Sequence, residues 1–447
     1  MKQLMRNLLI IIFIFFSVIT ICSNERYALI LSGGGARGAY QIGVWRALKQ
    51  LDINIKGAYG TSVGAINAAA VVLKEYEQAR TLWLNIDYND VMDLSPELED
   101  IFRGNLSDLS LTDFEKGIGQ LLKGIDIEPL RKKLDEIISE TEVRQSEIDY
   151  GLVAFCISDM KPRTLHISEI PEGKLIDYIL ASAGLPIFKP EEIKGKIFVD
   201  GGIYNNIPIN LALDRGFENI IIVDIGSIGD LTTRITNFIE NRNYDGEYNT
   251  IFIRPRKFYG NILAFDPKIA SSYIKEGYLD TLATFNMLAG KTFYIYMKDD
   301  VLYHMFVALE PELRNKALKI MSLESPEDVS PEYQYYRLLL PQLEQVAGTV
   351  SDHPVNTSIK ILEDLANYLQ IDPLYPYDSK SILERIDKKT DDKPKMSLLR
   401  GLIEEMKYGN VLDLVDFLFE NTNYAFPNDD RYNEIKTIFN NLTEVEK

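Results

Sequence analysis

Between Arg26 and about Ile228, short apolar runs alternate with longer segments whose apolar residues recur every three or four positions. The runs Tyr27–Leu31, Ile55–Tyr59, Gly151–Ile157, Lys196–Val199 and Ile220–Ile225 read as strands, and Thr250–Pro255 reads as a last one. Their near-continuous Ile, Val and Ala content suits strands buried on both faces, as in a parallel sheet. Gln41–Leu51, Ala65–Leu84, Glu128–Glu140, Lys174–Ser182, Ile209–Arg215 and Tyr273–Leu288 read as helices. The pattern predicts an α/β class, with a mostly parallel sheet flanked by helices. A polar, Asp- and Leu-rich stretch over about 87–126 breaks the alternation as an insertion, open to reading as a solvated loop or as a lid. After Gly290 the character changes. Lys291–Met297 is a strand or a connector, and the remainder is helical in Leu302–Leu323, Tyr333–Val346, Ile359–Leu369, Met396–Met406, Leu412–Phe419 and Tyr432–Leu442. The expected domains are 24–290 and an all-helical 291–447 of no evident role.

Residues 1–23 stand apart. Lys2 and Arg6 precede an apolar stretch from Leu8 to Ile21, fourteen residues against the roughly 20 that a membrane span needs. That length favours a cleaved signal peptide over a retained anchor and predicts export, to a periplasmic, secreted or surface-associated location. Cys22 stands where a lipoprotein cysteine would, but Ile21 before it is not a small residue. Cys156 lies inside an apolar run and reads as a buried small hydrophobe. The formal charge of −18 becomes −20 without Lys2 and Arg6. Such acidity argues against nucleic acid as a partner and leaves membrane contact to local apolar or basic surface.

Two glycine-framed turns carry the chemistry. Gly60-Thr61-Ser62-Val63-Gly64 follows a strand and opens an Ala-rich helix, the setting of a nucleophile elbow. Ser32-Gly33-Gly34-Gly35-Ala36-Arg37-Gly38 follows the first strand and offers unobstructed backbone N–H groups, as an oxyanion hole requires. Gly33, Gly35 and Gly38 also fit the dinucleotide fingerprint. However, the second strand then ends in Gly60-Thr61-Ser62, and the nearest acid, Asp52, lies before that strand, so no nucleotide cofactor is expected. The base is the open question. His304 and His353 fall in the helical third, and His166 follows a candidate hairpin at Arg163-Thr164-Leu165. Asp200, ending a strand before Gly201 and Gly202, is the better candidate, because a partly buried carboxylate can accept a serine proton. Asp224 is its positional rival.

Taken in order, Gly33–Gly38, Gly60–Gly64, the segment Ala181-Ser182-Ala183-Gly184-Leu185-Pro186, and Asp200-Gly201-Gly202 running on to Asn205-Asn206-Ile207-Pro208 resemble the patatin-like phospholipase family over about residues 26–290. The resemblance implies a three-layer sandwich and a Ser–Asp dyad without histidine, which selects Asp200 over Asp224. It also implies an oxyanion hole on the loop of Gly33, Gly34, Gly35, Ala36, Arg37 and Gly38, with the amides of Gly34, Gly35 and Ala36 foremost. The implied activity is metal- and cofactor-free hydrolysis of lipid acyl esters, of phospholipase A type, at a membrane surface. Carboxylesterase, thioesterase or neutral-lipid lipase chemistry on the same dyad is the nearer alternative, and a non-catalytic binding protein the more distant one.

Overall fold

A computed structural model describes residues 25–104, 110–226, 248–349, 353–390 and 398–444, so the amino-terminal segment read as a signal peptide lies outside the described residues. The chain divides into two compact units, residues 1–284 with 442–447, and residues 285–441.

The first unit is built on an eight-stranded mixed sheet: β1 (Tyr27–Leu31), β2 (Ile55–Thr61), β3 (Asp149–Cys156), β4 (Lys161–His166), β5 (Glu191–Ile193), β6 (Lys196–Asp200), β7 (Asn219–Val223) and β8 (Asn249–Ile253). β8, β7, β1, β2 and β3 pair in parallel in that order, while β4 and β6 pair antiparallel with β3. Leu29, Ile30, Leu31 and Ile220–Val223 are all buried, as the unbroken apolar runs require. Four helices position the site: α1 (Ala39–Gln50), α2 (Val63–Leu73), α3 (Leu175–Ala183) and α4 (Pro267–Thr284). The helix expected over Ala65–Leu84 is two, because Lys74 takes a left-handed φ of 62° and closes α2 before Tyr76–Asn85 begins. The 87–126 stretch is more ordered than its weak periodicity suggests. It holds the helices Tyr88–Val91, Pro96–Arg103 and Leu111–Lys123, each opened by a polar cap, Asp87, Ser95 and Ser110.

One rung of the sheet decides the position of the site. Val153 pairs with Thr61 of β2 and with Thr164 of β4, whereas Ala154 pairs with Arg163 of β4 and with Asp200 of β6. A strand has only two edges, so β2 and β6 share the same edge of β3. They run toward each other along it and meet between residues 153 and 154. The residues at and just beyond the two meeting ends are Asp200 and Ser62.

The second unit is helical, with one short parallel ladder, β9 (Tyr294–Tyr296) on β10 (Pro376–Asp378). Its core gathers side chains from Phe293 to Leu418.

Candidate active site

Ser62 opens α2 at φ 56° and ψ −130°, a conformation costing a non-glycine residue roughly 1–3 kcal/mol. Close packing holds it there. A Cβ on Gly64 would lie 2.1 Å from the Leu31 carbonyl oxygen, and one on Gly60 would lie 2.1 Å from the Gly64 oxygen, so only glycine permits this turn. The Ser62 N–H donates to Ser182 Oγ at 2.9 Å, and that hydroxyl donates to the Val153 carbonyl at 2.6 Å. α3 is thus tied to the elbow and to the deciding rung together.

Asp200 is 4% exposed and Ser62 5%. The Gly202 N–H donates to the Asp200 carboxylate at 2.7 Å. Burial raises its pKa above the ordinary carboxylate value, and the neighbouring Ser62 hydroxyl and the Gly202 N–H pull the other way without cancelling the rise. Asp224, the positional rival, follows β7 and pairs with Arg254 at 3.2 Å. His166 sits on the Gly151 rung, two residues toward the amino end of β3 from Val153. There its Nδ1 meets Asp149 at 3.0 Å, in a cluster with Tyr59 and Arg215. His304 stacks on Tyr424 in the second unit, and His353 precedes the helix Pro354–Tyr368 there.

Within the glycine loop most amides are already committed. Gly33 N–H donates to Asn206 Oδ1 at 3.1 Å, Ala36 N–H to the Ile262 carbonyl at 2.8 Å, and Arg37 N–H to the Gly34 carbonyl at 3.3 Å. Ala36 is therefore engaged elsewhere, contrary to the expectation that counted its amide among the foremost. Gly38 enters α1 as its cap residue. The amides of Gly34 and Gly35 have no acceptor among the described residues. Gly35 holds φ 58° with room for no side chain, since a Cβ would fall 2.0 Å from the Ile262 oxygen. Arg37 works as a brace. Its guanidinium donates to the Gly260 and Ile225 carbonyls, both at 3.4 Å, and lies 4.2 Å over the Phe258 ring.

Three supporting residues were not among the expected site residues. Asn206 holds both polar groups of Gly33, accepting its N–H and donating to its carbonyl at 3.4 Å. Ser182 anchors the elbow. Asn67, a polar residue in the Ala-rich run, links Trp83, Gln41 and the Gly38 carbonyl beneath the loop. A buried Asn amid alanines was the visible clue.

An apolar hollow opens at Ser62 and Gly35. Trp83, Leu134, Phe188 and Phe265 wall it, and among the described residues of the 87–126 stretch only Val91 contributes.

Residues 29–213 match the patatin-like phospholipase family. Among curated proteins, patatin-like phospholipase domain-containing protein 7 of Rattus norvegicus is 28% identical over 231 residues, covering 49% of this chain and 15% of that protein. Lysophospholipase NTE1 of Candida albicans is 28% identical over 220 residues, covering 49% of this chain and 14% of its own length. The chain thus matches about one seventh of these much longer relatives. Among solved structures, VipD from Legionella pneumophila overlaps 94% of this chain and 87% of that one at 15% identity, with a TM-score of 0.34, too slight a likeness to argue from.

Proposed function

We propose that this chain, whose residues 29–213 form a patatin-like phospholipase domain, hydrolyses fatty-acyl esters of lipids through Ser62 and Asp200. In this reading Ser62 Oγ attacks the ester carbonyl carbon as Asp200 takes its proton. The carbonyl electron pair moves to oxygen, and the Gly34 and Gly35 amides hold the resulting oxyanion. Collapse of this intermediate breaks the ester C–O bond. Asp200 returns its proton to the departing alkoxide, which leaves as an alcohol or lysophospholipid. Water then adds to the acyl-Ser62 carbonyl, giving a proton to Asp200. The second intermediate releases the fatty acid and restores the serine hydroxyl. The acyl chain lies in the hollow behind Ser62, where each buried methylene contributes about 0.8 kcal/mol.

The observation that carries the reading is a serine in a strained turn, beside a buried carboxylate of raised pKa where β2 and β6 meet, with two unengaged amides and an apolar hollow at its side. A carboxylate near its unperturbed value is a poor general base, and burial brings Asp200 closer to its task. Each oxyanion donor is worth about 3 kcal/mol of transition-state stabilisation.

The test is fatty-acid release from phospholipid vesicles, in chelator, by the parent and by its Ser62→Ala and Asp200→Asn variants. Release by the parent, reduced by a factor of about 10³ or more in both variants, is the expected result. Equal release by parent and Asp200→Asn would remove the dyad. Hydrolysis confined to short soluble esters would make the enzyme a carboxylesterase.

A further inference from the structure

Eight large apolar side chains of the first unit are exposed among the described residues, and seven of them cluster at one end of the sheet. Ile157 and Met160 follow β3, Phe258 and Ile262 follow β8, and Ile197, Ile203 and Tyr204 start or follow β6. Because β3 and β8 run in parallel and β6 descends antiparallel from the same side, all seven lie at the carboxyl end of the parallel strands. That is the end where Ser62 and Asp200 meet.

The β6 side forms a continuous face. Ile157 N–H bonds the Ile197 carbonyl at 2.9 Å, and Phe155 is paired with Val199. Alternation along the strands therefore sets Phe155, Ile157, Ile197 and Val199 on one face. Phe198 and Asp200 take the other, where Phe198 packs against Tyr178 of α3. The turn after Asp200 brings the Tyr204 ring to 6.5 Å from Phe155. Met160 is 72% exposed, Ile203 63% and Tyr204 52%. The face ends in two tight hairpin tips, one at Met160 (φ 52°) and one at Lys194 and Gly195 (φ 52° and 75°).

Charge identifies what covers it. The chain carries −18 overall, yet Lys161 and Lys194 stand exposed at these tips with no carboxylate within ion-pair distance among the described residues. Asp159 nearby is already shared between Arg163 and Lys196. Apolar side chains rimmed by unpaired lysines suit a lipid–water boundary, where the ammonium groups reach phosphates while the stems and apolar residues sink below. The tips extend about 10 Å past the dyad, three residues of strand beyond Ala154. Immersing them to that depth sets Ser62 near the level of the glycerol esters.

We infer that the face of Ile157, Met160, Ile197, Ile203 and Tyr204, with Lys161 and Lys194 at its tips, docks the protein on a phospholipid surface. This inference rests on the lipid hydrolase reading, since it names the surface from which that site draws its substrate.

The test places a single tryptophan at Met160, Tyr204 or, as a control, exposed Leu122, in full-length chain carrying Ser62→Ala. Trp45 and Trp83 are buried, and because Trp83 also walls the hollow at Ser62, the response of the Ser62→Ala protein without an added tryptophan is subtracted from each titration. Each probe reads its own surroundings, whatever other contact the chain makes with lipid. Vesicles of phosphatidylglycerol should shift emission of the Met160→Trp and Tyr204→Trp proteins to the blue, with quenching by brominated lipid, and leave Leu122→Trp unmoved. Lys161→Gln with Lys194→Gln should weaken binding to these vesicles roughly 30-fold, at about fivefold per lysine, with far-UV circular dichroism unchanged. No response at 160 and 204, or an equal response at 122, overturns the surface. So does a blue shift that follows protein concentration without vesicles, which would make the face an interface between two copies. Turnover of a short soluble ester by the protein with Ser62 intact separates the two readings. Docking without ester turnover removes the hydrolase, and turnover without docking removes the surface.

Discussion

At the scale of single residues, the role proposed for Asp200 joins catalysis to a cost in stability. Its folded pKa is raised by burial above the 3.8 of an ordinary aspartate. Above that raised value the native state holds a desolvated carboxylate that the unfolded chain keeps in water, so the charge opposes folding. As pH falls, the native state takes up a proton first, and the penalty shrinks between the raised value and 3.8. Asp200→Asn keeps the shape and removes the charge. At neutral pH the variant should therefore melt a few degrees above the parent while losing turnover, and the gap should close in acid. The parent's kcat/KM should have an acid limb at Asp200's raised value and not at 3.8. Thermal melts and rate profiles across pH check both, and a lower melting point for Asp200→Asn at neutral pH would show that the bonds from Ser62 and Gly202 outweigh desolvation.

At the scale of elements, the segment after β8 braces the glycine loop and is itself held by α4. Ile262 accepts the Ala36 N–H, and Tyr273 Oη accepts the Tyr259 and Gly260 amides at 3.0 and 3.2 Å. Glu276 accepts the Lys257 N–H at 2.9 Å. It faces Lys257, Arg256 and Asp280, and Asp280 itself pairs with Arg256 at 2.9 Å and accepts from Tyr40. Burial first, then Asp280, pushes Glu276 up from 4.5 to about 8. Between those two values the folded state binds the extra proton, so stability should fall as pH rises from 4.5 to about 8 and level off beyond. Glu276→Gln retains an acceptor for Lys257 and should flatten that decline, leaving the variant the more stable at pH 8. Denaturant titrations at several pH values test this, and an unchanged slope would discard it. Such couplings mark the limit of what the chain discloses in one dimension. The places of Ser62 and Asp200 at strand ends, and most strands, were legible because glycine-framed turns and buried apolar runs are local signals. The meeting of β2 and β6 on one edge of β3 was not, because it depends on two separate long-range pairings, Thr61 with Val153 and Ala154 with Asp200. Lys161–His166 showed only as a candidate hairpin because its sequence is polar, and Glu191–Ile193 escaped because it is a polar arm of three residues. That the Gly33 and Ala36 amides are engaged shows only when the partners Asn206 and Ile262 are known, and nothing in Asn205-Asn206-Ile207-Pro208 distinguishes Asn206 from a turn residue.

At the scale of the whole molecule, residues 285–441 have what an autonomous unit needs. The buried cluster from Phe293 to Leu418 is continuous. Its beginning and its later part are joined by the ladder of Tyr294–Tyr296 on Pro376–Asp378. Glu363 closes the same circuit by accepting the Thr292 and Phe293 amides at 2.8 and 2.9 Å. At the centre, Asp300 caps the helix Val301–Val307 through the Tyr303 N–H. It also accepts from Tyr335 Oη at 2.9 Å and from Ser358 Oγ at 2.5 Å, so one carboxylate ties three helical segments. Every one of these contacts lies within 285–441. A fragment of those residues should therefore fold alone, with helical circular dichroism and a single cooperative melt. Within it, Asp300→Ala would strand the Tyr335 and Ser358 hydroxyls, at about 1–3 kcal/mol for each buried group, whereas a conservative change at exposed Tyr333 should cost little. A fragment that is helical but melts without cooperativity, or that is indifferent to Asp300→Ala, would mean that this core is completed only by the rest of the chain.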